Sequence, residues 1–496
     1  MHYIDPKGHS RRAFLKRSSS LALAGTAMPF ALSLATMGEA AAQTATDYKA
    51  LVCVFLYGGC DYANTVVTYD DDSYGKYSTI RGGVQSAGGI AIAKADLAAT
   101  ALSPTQALTN GRQYALHPSM TAMKGLFDAG NAAVQLNVGP LVVPLSRATF
   151  NNSNKKVYPQ PPKLFSHNDQ QSTWQSSSPE GSTVGWGGNI GDLVLGQNSN
   201  SLFTCISVSG NAVFLSGDSA LQYQVSSGGA VRINSVSPAS GTTLYGSATV
   251  KSAMQALTQQ PRTHKLENEY NKVTKRAVEA EGTVTTAIAQ PHAAGTFPVP
   301  PTNLGNQLAM VARLIRGRAT TGAKRQVFMV STGGFDLHDN LINNQAPLLK
   351  QVSDAMASFH AAMVAEGLGD KVTAFTASDF GRTLASNGDG ADHGWGNHHF
   401  VVGGAVRGNM IYGAPPPVSI NNTSTLDGYE GHVGQGRLIP TTSVDQYGAT
   451  MGKWFGLNDA QLLDILPNLK NFNGNTLVVN GTTYTYPRDV GFMKPA

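Results

Sequence analysis

The clearest hydrophobic pattern in the chain is the unbroken apolar run Ala50-Leu51-Val52-Cys53-Val54-Phe55-Leu56, followed closely by Gly58-Gly59. A run with no polar alternation fits a strand buried on both faces of a parallel sheet. A helix is predicted after His117-Pro118, where Met120, Met123, Leu126 and Phe127 share one face and Gly130 lies beyond the end. Ala132 to Val138 reads as a second strand. Further on, Leu304, Leu308, Val311 and Ile315 keep helical spacing ahead of a strand at Gln326 to Val330. Leu348, Val352, Met356, Phe359 and Met363 repeat that spacing, Gly367 stops the helix, and Val372 to Thr376 is the next strand. Phe400 to Val402 is another. Thr442 is expected to cap a helix running through Phe455, and Leu477 to Thr482 reads as a hairpin turning at Asn480-Gly481. Strands alternating with helices predict an α/β fold built as a three-layer α/β/α sandwich.

The rhythm changes in the middle. Short β-like runs at Leu202 to Val208, Ala212 to Leu215 and Tyr223 to Val225 are separated by Ser and Gly clusters. They predict a β-rich insertion of antiparallel hairpins around 200–245. Helix-like polar sequence follows from Val250 to Ala289, then a Pro-rich connector from Pro291 to Pro301, so the inserted segment covers about 200–300.

The N-terminus carries a different signal. Ser10-Arg11-Arg12-Ala13-Phe14-Leu15-Lys16-Arg17 is a basic segment with paired arginines, ahead of a weakly apolar stretch and the small residues Ala40-Ala41-Ala42. This is the pattern of a bacterial twin-arginine signal peptide, residues 1–42. It predicts export of an already folded protein through the twin-arginine translocase to the periplasm or beyond. Residues 43–496 then form the working domain. The apolar stretch is too short and too rich in Ser, Gly, Ala and Thr for a membrane span, and no transmembrane segment is expected in the mature chain.

The 496 residues carry a net charge of +5, and the signal's five basic and two acidic residues account for three of those charges. No basic stripe remains to bind nucleic acid. Three cysteines, Cys53, Cys60 and Cys205, make no disulfide framework, and Cys53 lies within the apolar run as a core residue.

Three polar clusters directly follow predicted strands, where ligands bind in open α/β sheets. In Gly58-Gly59-Cys60-Asp61, Asp61 either caps the next turn or points from the strand end into a site. In Gly333-Gly334-Phe335-Asp336-Leu337-His338, Asp336 and His338 are two apart and share a side of an extended chain, which suits a divalent metal. The third cluster is the densest: Ser378-Asp379-Phe380-Gly381-Arg382, then Asp392-His393-Gly394-Trp395-Gly396-Asn397-His398-His399. Histidines outside these clusters, such as His264 and His360, are expected at the surface.

These blocks, together with Asn64-Thr65-Val66-Val67, Leu116-His117-Pro118, Ser166-His167 and Arg437-Leu438-Ile439-Pro440-Thr441-Thr442-Ser443-Val444-Asp445-Gln446-Tyr447, resemble the DUF1501 family of exported bacterial proteins. That family is similar in turn to the alkaline phosphatase-like superfamily of metal-dependent phosphatases, sulfatases and phosphomutases. The resemblance implies a two-metal site for divalent ions, with Zn, Mn, Mg and Ca undistinguished. Asp61, Asp392 and His393 would hold one ion; Asp336, His338 and one of His398 or His399 would hold the other. Arg382 would neutralise an oxyanion or brace a ligating carboxylate. Ser166, Ser172 and Thr173 are the nearest matches to the superfamily's nucleophile, though none lies in its motif, and no Cys-x-Pro-x-Arg sulfatase signature occurs. Two functions follow. One is a metal-dependent hydrolase of phosphate or sulfate esters, acting on a small ester or an extracellular polymer. The other is a non-catalytic exported binding or assembly scaffold that keeps the fold.

Overall fold

The computed structural model describes residues 45, 47–237, 241–293, 295–297, 301–479 and 482–495. The predicted signal segment 1–42 and the predicted turn at Asn480-Gly481 lie outside these residues. Ten strands form one sheet: β1 (Lys49–Leu56), β2 (Ala132–Gly139), β3 (Cys205–Ser207), β4 (Gln222–Ser226), β5 (Gly229–Ala230), β6 (Arg325–Thr332), β7 (Val372–Ser378), β8 (Asn397–Val402), β9 (Met410–Tyr412) and β10 (Thr442–Ser443). Their spatial order is β9-β2-β8-β7-β1-β6-β3-β4-β5, with β10 also paired to β2.

All eight residues of β1 are buried, because this strand lies at the centre of the sheet, parallel to β6 on one side and β7 on the other. Side chains alternate across a strand, so its residues divide between two cores. Ala50, Val52, Val54 and Leu56 pack on one face with the helices Thr121–Asp128, Asn303–Arg316 and Leu341–Ala365. Leu51, Cys53 and Phe55 pack on the other with Trp174, Trp186 and the helix Val444–Phe455. The three-layer α/β/α arrangement follows from this two-sided burial. The unbroken apolar run of β1 is its cause.

Some local expectations need revision. In the 200–245 segment, β3 runs parallel to β6 and β4 parallel to β3, so this stretch widens the main sheet instead of folding into separate hairpins. Only the short β4–β5 pairing is antiparallel, and Val213–Leu215 forms a turn of 3₁₀-helix. The polar stretch after it forms two helices, Ala248–Gln259 and Lys265–Ala287, broken at Pro261. Ser443, not Thr442, caps the last long helix: its hydroxyl takes the Asp445 N–H while Gln446 reaches back to the Ser443 N–H. His360 is buried on the inner face of its helix, against the expectation for a polar residue; His264 is exposed. The strands of the tail pair as an antiparallel hairpin, Asn475–Val479 with Thr482–Tyr486.

Among the described residues no helix is long and apolar enough to cross a membrane.

Candidate metal centre

Three loops leave the carboxyl ends of the adjacent parallel strands β1, β6 and β7 and meet above the sheet. Their contact is close. The backbone of Gly58 has φ +115°, and a Cβ there would come within 2.3 Å of the Asp336 backbone nitrogen. Only glycine fits both the conformation and the space. The loop after β7 is held by a second segment running beside it. Gly394 N–H donates to Gly381 O (2.7 Å), Gly381 N–H to Trp395 O (3.0 Å) and Thr383 N–H to Asp392 O (2.9 Å). This pairing brings His393 opposite Arg382.

Four side chains converge there. His393 Nε2 lies 2.9 Å from His338 Nε2, 3.1 Å from His167 Nε2 and 3.3 Å from Asp336 Oδ1. Asp336 Oδ1 is 3.1 Å from His338 Nε2, and its Oδ2 is 3.4 Å from His167 Nε2. His167, Asp336 and His393 are the group among the described residues whose ligand atoms all lie within 4.8 Å of one another.

The far side of each ring explains this convergence. His167 Nδ1 lies 2.7 Å from Asp379 Oδ2, His393 Nδ1 lies 2.8 Å from Phe165 O, and His338 Nδ1 lies 3.3 Å from Asp392 Oδ1. An oxygen acceptor at Nδ1 draws the hydrogen to that nitrogen and leaves Nε2 with a lone pair. The lone pairs of His167 and His393 and the Asp336 carboxylate thus face one another, with His338 Nε2 beside His393 and Asp336. Ligands about 2.0–2.1 Å from a tetrahedral ion stand about 3.3–3.4 Å apart, and the contacts here run from 2.9 to 3.4 Å. The donor set fits a divalent cation of the nitrogen- and oxygen-binding kind.

The electrostatics agree. Burial pushes the Asp336 carboxyl up, but the Arg382 guanidinium, at 2.9 Å, and the neighbouring histidines outweigh it and hold the group below its usual range. Burial likewise opposes ionisation of Asp392, and hydrogen bonds from Asn387 and His338 reverse that. Burial pushes His393 down, assisted by the charges of His167 and Arg382 and opposed by the Phe165 carbonyl. The hydrogen bond to Asp379 raises His167 against burial. Ionised carboxylates and a neutral His393 are the states a cation needs, and His167, held up by Asp379, gives up its proton to join them.

Asp379 was not singled out as a site residue from the sequence, nor was His167. Asp379 is fully buried, and its Oδ2 also accepts from Gln171 Nε2 (2.8 Å) and Gly58 N–H (3.2 Å). His167 and Gln171 are one turn apart on the helix His167–Ser176, so both reach the same carboxylate. The available signal was Asp379's position one residue past a strand end.

Other expected residues lie elsewhere. Asp61 caps the helix Tyr62–Thr65 and pairs through both oxygens with the buried Arg81, at 2.7 and 2.8 Å. Its carboxylate is committed, and the ligand set that included it does not assemble. His398 and His399 lie inside β8. His398 Nδ1 accepts from Asn137 N–H, and His399 Nδ1 faces Thr376 Oγ1 between Trp174 and Tyr447. Neither joins Asp336 and His338, so the division into two ions with those ligands is not reproduced: Asp336 and His393 share one centre. Ser166 Oγ donates to Asp169, Ser172 Oγ to Pro179 O and Thr173 Oγ1 to Asp169 O. Arg382 is buried and donates to Asp336, which is the bracing role; its Nε and Nη2 and the Oδ1 of Asp379 have no hydrogen-bond partner among the described residues.

Solved structures with a similar course of chain include Ps i-CgsB in complex with k-i-k-neocarrahexaose, at 9% identity and a TM-score of 0.35, with 87% of this chain and 79% of that one covered. The PsFucS1 sulfatase from Pseudoalteromonas sp. matches at 7% identity and a TM-score of 0.34, covering 88% and 73%. A Bacteroides thetaiotaomicron protein, BT33494S-sulf, from work on the metabolism of multiple glycosaminoglycans, matches at 9% identity and a TM-score of 0.31, covering 84% and 74%. A comparison with curated proteins finds none that matches. The family described as a protein of unknown function, DUF1501, matches residues 48–464, from the first buried strand past every loop of the centre, and the chain belongs to that family.

Proposed function

We propose that the protein is a metal-dependent hydrolase of phosphate or sulfate esters, working in the periplasm or outside the cell after export through the twin-arginine translocase. The observation that supports this most is the orientation of three imidazoles, each with Nδ1 on an oxygen and Nε2 turned toward Asp336. The centre is also open. The Asp336 side chain is 47% exposed and that of His338 44%, where a structural metal site would be closed.

A divalent ion held by His167, Asp336, His393 and His338 would supply Lewis acidity toward an ester oxygen and lower the pKa of a water. The chain's own residues do the rest. Asp379, Phe165 O and Asp392 hold the rings in one tautomer, and Arg382 holds Asp336 ionised and in place. Ser166, Ser172 and Thr173 donate to Asp169 and Pro179, away from the convergent Nε2 atoms, and a water at the ion would serve as nucleophile. The open rim admits a small ester or an extracellular polymer.

The scaffold reading draws on one observation, that Ser166, Ser172 and Thr173 all turn their hydroxyl hydrogens to Asp169 or Pro179. The deciding experiment is elemental analysis of the full chain purified without a histidine tag, paired with hydrolysis of p-nitrophenyl phosphate and p-nitrophenyl sulfate. The hydrolase reading expects bound divalent metal, turnover of one ester, and loss of both in His167→Ala and His393→Ala. Metal-free, inactive wild-type protein would leave the scaffold.

A further inference from the structure

We propose that Arg437 is the oxyanion-binding residue of this centre, taking a phosphate or sulfate group on its two terminal amines; this rests on the hydrolase reading. Its Nε–H donates to the carbonyl of His393 at 2.8 Å, and its guanidinium carbon lies 5.2 Å from the centre of the Phe165 ring. One end of the fork is thereby anchored and one face is covered. Among the described residues neither Nη atom makes a hydrogen bond, and the Asp392 carboxylate is the charge that acts on the guanidinium. Planar forks of this kind pair bidentately with tetrahedral oxyanions.

Placement supports the assignment. The carbonyl that anchors Arg437 belongs to the residue whose Nε2 stands in the middle of the convergent donors. Phe165, the platform for the guanidinium, supplies the carbonyl that orients His393. Phe165 has φ +73° and Lys163 has φ +46°, left-handed conformations that non-glycine residues adopt at a cost. The strained turn thus serves the ligand histidine and the arginine together.

Neighbouring cations do not fit the role. Arg382 is fully enclosed, its Nη1 on Asp336 and the Gly58 carbonyl and its other nitrogens out of reach of solvent, while Lys163 is mostly exposed and lies 3.3 Å from Asp169.

The test is a calorimetric titration of inorganic phosphate and of sulfate into wild type, Arg437→Lys and Arg437→Ala, in metal-loaded and metal-free form, with metal content measured on each sample. Affinity is expected to fall roughly tenfold to a hundredfold in Arg437→Ala, the scale of a lost charge-assisted contact, and less in Arg437→Lys. Metal content is expected to stay unchanged. Equal affinity in wild type and Arg437→Ala, or no binding of either anion by wild type, overturns the proposal. So does loss of metal in parallel with anion binding, which would make Arg437 a support for His393. Wild type that takes up no metal sinks the hydrolase reading, while the metal-free titration still decides Arg437.

Discussion

The Nε2 atoms of His167 and His393 face each other at 3.1 Å, although the partner at each Nδ1 claims the ring's hydrogen. Two opposed lone pairs repel unless a cation or proton lies between them. Metal removal is therefore expected to destabilise the protein. At metal a hundredfold above its dissociation constant, the bound form gains about 2.7 kcal/mol. A chelator should lower the melting temperature, and adding the ion back should restore it. His167→Ala should show no response to either.

Asp379→Asn tests the support of the centre without touching a ligand. Asp379 fixes His167 from behind, and loss of such partners weakens metal affinity roughly ten- to a hundredfold. Competition with a chromogenic chelator would measure it. An unchanged affinity would mean that His167 needs no orientation.

Asp61→Ala should behave in the opposite way. Removing this carboxylate leaves the guanidinium of Arg81 buried without a counter-charge, a loss of about 3–5 kcal/mol. Denaturant unfolding should show that loss. At a temperature where the variant still folds, its metal content should equal that of wild type.

Acid should weaken the protein well above the carboxylate range. Burial pushes His398 and His399 down to about 3, and His117 and His432 to about 4. A group depressed in the folded state gives stability that is complete above its unfolded value, near 6.5, and is lost as pH falls toward the folded value. His167, raised by Asp379, acts with the opposite sign: its contribution is complete below that unfolded value and fades as pH rises through the folded one. His292, His360 and His393 are depressed as well, so the depressed histidines outweigh His167. The melting temperature of metal-free protein should fall from pH 6.5 to pH 5, and a flat profile there would contradict the burial of these histidines.

The sheet was readable because burial on both faces leaves a plain trace. The apolar run of β1 and the helical spacing at Leu348–Met363 mark their own environments. The 200–245 stretch misled because short strands read alike whether they pair with each other or extend a distant β6. At the centre, Asp336, His338 and His393 announced themselves through position after strands and through clustering. His398 and His399 shared the cluster but not the pocket: they continue as β8, and no sequence signal marks the end of the loop before Asn397. Asp61 had two readings, cap and ligand, and the choice depended on Arg81, whose approach is a tertiary fact. His167 lay among blocks already noticed, yet only the contact with Asp379, 212 positions away, gives it a role.

The central place of β1 has a consequence for biogenesis. This strand is made early in synthesis, yet its neighbours β6 and β7 begin only at Arg325 and Val372, and Gly58 meets Asp379 across 321 positions. The nascent polypeptide must keep this strongly apolar segment without its sheet partners until β6 and β7 have been made, with loop closure over that distance still to come. A chain cut short before Val372 would have neither a closed sheet nor the floor of the pocket, and would be a client for chaperones and proteases instead of a partly active fragment.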